Sequence, residues 1–233
     1  MDITTPMTEP VPGPGGTTAL LRLVTWLSPA FPIGAFSYSG GLEQAVHDGQ
    51  VRDASGLETW LRAILLHGAG WNDAVLLAES YRSAGDAGQL QSVMELAEAM
   101  AGSRERHMET MLQGSAFLEA AGHWPHAVFE LLGTSTAYPV AVGAVAGAHG
   151  TGLEAALAAY LHAQASNAIS VAIRCGVTGQ RHGVGVLAAL EPDIAAVAGR
   201  AASSTLDDLG SATVLADIAA LRHEHLNSRL FRS

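Results

Sequence analysis

Thr151-Gly152-Leu153-Glu154-Ala155-Ala156-Leu157-Ala158-Ala159-Tyr160-Leu161-His162-Ala163-Gln164-Ala165-Ser166-Asn167-Ala168-Ile169-Ser170-Val171-Ala172-Ile173-Arg174 carries the longest clear helical pattern in the chain. Thr151 and Glu154 have the spacing of a capping box, in which each side chain satisfies the other's free backbone amide. No proline or glycine follows before Arg174, and alanine, the best helix former, recurs throughout. His162, Ser166, Ser170 and Arg174 recur every four residues, with Gln164 and Asn167 alongside, so one polar stripe runs along an otherwise apolar helix. Such a stripe must be satisfied within the chain or against a partner.

The same pattern continues on either side. Ala19 to Leu27 reads as a helix that Thr17 or Thr18 caps and Ser28-Pro29 stops. Ser39 is placed to cap a helix ending at Gly49, and Ser55-Gly56-Leu57-Glu58 is a second capping box. Gly68-Ala69-Gly70 should interrupt the helix it opens before Asn72 to Ser83 resumes. Gln89 to Ala121 reads as one helix or two with a break at Gly102-Ser103, Pro125 to Leu132 as a short helix, and Pro139 as the first position of another ending near Gly150. Gly183 to Leu190, Asp193 to Ala201 and Ser211 to Leu221 are three further segments. No alternating strand pattern or internal repeat interrupts the series. The expected architecture is all-α, a single-domain bundle of about nine or ten helices over residues 17–221, with a disordered Pro/Gly-rich leader over 1–16 and a tail over 222–233.

Composition excludes several chemistries. The 233 residues carry a net charge of -10, and all 12 basic residues are arginine. Without lysine there is no phosphate-loop lysine, Schiff base or lysine base. An acidic surface is a poor nucleic-acid platform. Cys175 alone excludes zinc knuckles, redox pairs and an internal disulfide. The apolar stretch Ala137 to Ala148 falls short of the roughly 20 residues of a membrane span and reads as a buried helix. The leader has no secretory pattern, which makes the cytoplasm the expected location.

Local motifs for chemistry are weak. Gly183-Val184-Gly185-Val186-Leu187-Ala188 spells a dinucleotide fingerprint with Asp208 downstream, but no strand precedes it, so close helix packing explains it better. No nucleophile elbow occurs at Ser37 or Ser39. His123 with His126, His107 with Met111, and His223 with His225 are weak metal candidates. None forms a three-ligand set, so neither a permanent metal site nor a cofactor is expected. Glu95 with Glu98, and Glu105 with Glu109 beside Arg104 and Arg106, read as solvated charged faces.

Two segments resist a bland explanation. Phe31 to Glu43 combines aromatics, prolines and glycines in one apolar loop, suited to core or to docking. Arg229-Leu230-Phe231-Arg232-Ser233 alternates arginine with large apolar side chains, as interface anchors do, and reads as a tail that inserts into something.

Ser28-Pro29-Ala30-Phe31-Pro32-Ile33-Gly34-Ala35-Phe36-Ser37-Tyr38-Ser39-Gly40-Gly41-Leu42-Glu43 closely resembles the N-terminal signature of the urease accessory protein UreF family. Ala159-Tyr160-Leu161 through Gln164, Ser166-Asn167, Arg174 and Gly179-Gln180 are similar to that family's central helix and following loop, and Arg229 to Ser233 to its tail. Tyr138-Pro139-Val140-Ala141-Val142-Gly143 and Ser103-Arg104-Glu105 also fit; the Pro/Gly-rich leader and the lack of lysine depart from the pattern. The resemblance implies an all-α homodimer without catalysis of its own. It would join UreD (UreH in some systems) and the GTPase UreG on apo-urease, so that nickel is inserted in a GTP-dependent step. By matching position it implies that Arg229, Leu230, Phe231, Arg232 and Ser233, with Phe31, Pro32, Phe36 and Tyr38, contact UreD, and that Gly179, Gln180 and Arg181 face UreG. The alternative expectation is a soluble nickel carrier using His223 and His225.

Overall fold

Eleven α-helices follow one another in a computed structural model that describes residues 16–233: α1 Gly16–Trp26, α2 Leu42–His47, α3 Ala54–His67, α4 Ala69–Arg82, α5 Ala87–Ala99, α6 Arg104–Ala121, α7 Val128–Leu132, α8 Tyr138–Ala148, α9 Leu153–Arg174, α10 Gln180–Ala202 and α11 Val214–His223. Two 3-10 turns, Ala35–Ser37 and Leu206–Asp208, complete the set, and no strand occurs among the described residues. The all-α expectation holds. The expected leader lies outside the described residues apart from Gly16, which opens α1.

The core is built around α8. Its residues are buried from Tyr138 through Ala146, because a helix apolar all round has no face to offer water. Helices α4, α5, α6, α7 and α9 pack against it. The approach of α4 is close enough that Gly143 and Gly147 leave no room for a side chain. A Cβ at Gly143 would lie 2.3 Å from the Leu77 carbonyl oxygen, and one at Gly147 2.3 Å from that of Tyr81. An aromatic chain ties the layers together, with ring centroids 6.4 Å apart for Trp26 and Phe117, 5.9 Å for Phe117 and Tyr138, and 5.4 Å for Tyr138 and Tyr160. Each such pair adds about 0.5–1.5 kcal/mol beyond the area it buries.

Five local readings need correction. Helix α1 opens at Gly16, so Thr17 and Thr18 lie inside it and do not cap it, and Gly41 rather than Ser39 holds the N-cap position of α2. Asp53, not Ser55, caps α3, its carboxylate accepting from the Gly56 amide at 2.8 Å. Asp is as strong a cap as Ser, and its position two residues earlier starts the helix sooner. Thr151 does not cap α9: its hydroxyl turns back to the Ala146 carbonyl, and Gly152 at φ 90° precedes the helix. Gly183–Leu190 and Asp193–Ala201 are one helix, α10, running through Pro192. Pro192 and Ala188 are exposed, so water reaches the carbonyl that proline leaves without a donor. The expected interruptions at Gly68 and at Gly102-Ser103 are both present, and Ser103 caps α6.

His149 closes α8 and carries a pH signature. Its Nδ1 accepts from the Arg22 guanidinium at 3.0 Å, so Nε2 bears the proton and donates to the Trp124 carbonyl at 3.2 Å. Burial, then the charges of Arg22 and His126, hold the imidazole below its usual value of 6.5. Protonation therefore favours the unfolded chain, and stability falls as pH drops through the unfolded value of about 6.5 towards the lower folded one. Urea unfolding of wild type and His149→Gln at a series of pH values should show a shallower loss below pH of about 6.5 in the variant. Parallel curves would remove His149 as the cause.

Candidate functional site

The signature segment forms a loop between α1 and α2. Gly34, Gly40 and Gly41 hold it at positive φ (70°, 59° and 85°), where side chains are strained. Gly41 is also where α11 crosses: a Cβ there would lie 2.7 Å from the Ala220 nitrogen. The polar stripe on α9 pins this loop. Asn167 donates to the Ala35 carbonyl at 3.1 Å and Arg174 to the Phe36 carbonyl at 2.5 Å. Asn167 and Arg174 are thus satisfied within the chain, whereas His162 and Ser170 of the same stripe are exposed. Phe31 is half-buried against Phe117 and Tyr38 is buried, whereas Pro32 and Phe36 stand exposed.

The tail lies on this loop. Residues 231–233 run alongside Ser37–Ser39: the Arg232 amide donates to the Ser37 carbonyl at 2.8 Å and the Ser39 amide to the Ser233 carbonyl at 2.9 Å. The Ser39 hydroxyl also donates to the Ser233 carbonyl. Glu43, at the start of α2, accepts two successive tail amides, Leu230 at 2.7 Å and Phe231 at 3.1 Å. Phe231 enters the core, and the Arg174 guanidinium sits 4.2 Å above its ring. The tail is thus held by its own chain, through Ser37, Ser39 and Glu43.

Beneath the tail is a buried ionic cluster that the sequence reading missed. Glu105 and Glu109 are not a solvated face; both are buried. His223, fully buried, stands between Glu105 (Nδ1, 2.7 Å) and Glu43 (Nε2, 3.0 Å). Arg229 reaches Glu105 at 2.5 Å, Arg106 pairs with Glu109 at 3.0 Å, and the Ser233 hydroxyl donates to Glu109 at 2.8 Å. The signal was present: acids on α6 at four-residue spacing, with arginine and histidine near the other end of the chain to meet them. His223 is thus occupied on both ring nitrogens, while His225 is exposed, so the two do not share one surface. Among the described residues no group of three or more His, Cys, Asp or Glu is arranged to hold a metal ion.

A cavity of about 730 Å³ lies behind the signature loop. On its wall the Asp73 carboxylate accepts from the Tyr160 hydroxyl at 3.0 Å and from Gln164 at 2.6 Å. Burial pushes the Asp73 carboxyl and the Tyr160 phenol up, while Glu109 holds Arg106 firmly protonated. Gly179, Gln180 and Arg181 are exposed at the start of α10. No helix among the described residues is long and apolar enough to cross a membrane.

Comparison with known proteins identifies the family. The UreF family model matches residues 51–191. The urease accessory protein UreF of Sinorhizobium medicae is 68% identical over 217 residues, covering 93% of this chain and 97% of its own. That of Rhizobium meliloti is 69% identical over the same shares, and urease accessory protein UreF 1 of Brucella canis is 58% identical over the full length of both chains. With its family model and its relatives in agreement, the chain belongs to the urease accessory protein UreF family.

Proposed function

We propose that the chain is a non-catalytic adaptor in urease maturation. It joins UreD (UreH) and the GTPase UreG on apo-urease, so that nickel, the cargo, is inserted in a GTP-dependent step, and it acts as a cytoplasmic homodimer. The observation that carries this reading is the meeting of the tail with the signature loop. Residues far apart in sequence converge into one rigid surface where Phe36, Leu230 and Arg232 are exposed. Arginine and aromatic side chains on a preorganised backbone suit binding, because little entropy remains to be lost on docking. The exposed turn at Gly179, Gln180 and Arg181 is the surface assigned to UreG.

Deleting Arg229 to Ser233 is expected to abolish co-purification with UreD while helix content, followed by circular dichroism, stays intact. A deleted chain that still recovers UreD overturns the assignment of this surface. The same pull-down from cells expressing the urease cluster should recover UreG with the wild type.

A further inference from the structure

The tail does not present all its residues alike. The backbone bends at Leu230 and Phe231, and from Leu230 to Ser233 outward and inward residues alternate. Phe231 and Ser233 are 4% and 2% exposed, whereas Leu230 is 61% exposed and Arg232 faces solvent. What fixes this phase is main-chain bonding: Glu43 takes the Leu230 and Phe231 amides, and the Ser37 carbonyl takes that of Arg232. The same pairing sets the outward residues next to Phe36, itself 68% exposed on a carbonyl that Arg174 holds.

The charge of this spot opposes that of the molecule. The chain carries -10 overall. Yet the acids under the tail, Glu43, Glu105 and Glu109, are buried and turned inward to His223, Arg229 and Arg106. Exposed charges beside Phe36 and Leu230 include Arg174, Arg229 and Arg232. A basic, apolar spot on an acidic protein suits a partner surface of the opposite pattern.

We infer that alternate tail residues have separate functions: Phe231 and Ser233 seat the tail on its own chain, and Leu230, Arg232 and Phe36 form the surface that a partner protein reads. The partner would present an apolar hollow edged by carboxylates. Glu43 is the positioning residue that sets the phase between the two. The inference rests on the proposed UreD-binding role of the tail, and refines it by removing Phe231, Ser233 and the buried Tyr38 from the contact surface.

The test uses the full chain co-expressed with UreD, together with hydrogen exchange of the chain alone. Leu230→Ser combined with Arg232→Glu should leave exchange of the Phe231 and Arg232 amides unchanged, since their bonds are main-chain, yet lower UreD capture about tenfold or more. Glu43→Gln should speed exchange of the Leu230 and Phe231 amides about tenfold with the helices unaffected, and weaken capture without touching the outward side chains. If the Leu230/Arg232 variant keeps full capture while deletion of the tail abolishes it, the division of roles is overturned and the adaptor reading stands. If deletion also leaves capture intact, the adaptor reading fails first. If the double variant instead changes the chain's own sedimentation, the spot is a contact between copies, and the inference is again overturned.

Discussion

Gly143→Val should lower the melting temperature by about 6–12 °C, the shift that roughly 3 kcal/mol gives a domain of this size. At Gly143 a Cβ would meet the Ser80 hydroxyl at 2.2 Å and the Leu77 carbonyl oxygen at 2.3 Å. Neither can swing aside. The carbonyl is helix backbone, and the hydroxyl is held by the Leu76 and Leu77 carbonyls at 2.9 and 3.0 Å. Relief requires α4 to move off α8, and Gly147 repeats the obstacle one turn on, at the Tyr81 carbonyl. Gly143→Ala should shift the transition in the same direction by less. Thermal circular dichroism of the two variants decides; wild-type melting for both would mean that the helices are not in contact there.

His223→Leu is expected to cost about 3–5 kcal/mol, read as a lower urea midpoint. The imidazole is wholly buried and lies between Glu43 and Glu105, so removing it leaves two buried carboxylates facing each other across an apolar side chain. The cost comes from those carboxylates, which predicts a partial rescue. Glu105→Gln in the His223→Leu background should recover part of the loss, whereas alone it should destabilise by weakening the Arg229 contact. Additive effects of the two substitutions would show that the cluster is not coupled. This result would also separate a structural His223 from a nickel ligand, since a ligand on the surface could be replaced at little cost to stability.

The helices were legible because their signals are local. Apolar spacing, glycine breaks and Pro139 need only neighbouring residues, and the buried positions Val186, Leu190, Ile194, Val197 and Ala201 keep one helical phase straight across Pro192. That phase was the sign that α10 is continuous; the proline outweighed it in the sequence reading. The tail illustrates the opposite case. Its alternation of arginine with apolar residues reads as a docking segment, yet nothing local to residues 229–233 names what the tail lies against. Its seat comes from Ser37, Ser39 and Glu43 at one end of the chain and from Glu105 and Glu109 in the middle. Glu105 and Glu109 looked solvated because their helix carries arginines beside them, and only the fold brings α11 and the tail over that face. The Asp73 contacts failed to appear for the same reason, since Tyr160 and Gln164 meet it only when α4 and α9 cross.

One helix holds both ends of the site. Gln164 grips Asp73 in the cavity wall, and Asn167 and Arg174 grip the Ala35 and Phe36 carbonyls of the loop. Between those grips there is no hinge, only α9, which rises about 1.5 Å and turns about 100° per residue. The helix therefore acts as a camshaft, with its side chains as lobes at fixed angles. Loop and cavity keep one timing, and neither can turn about that axis without carrying the other with it.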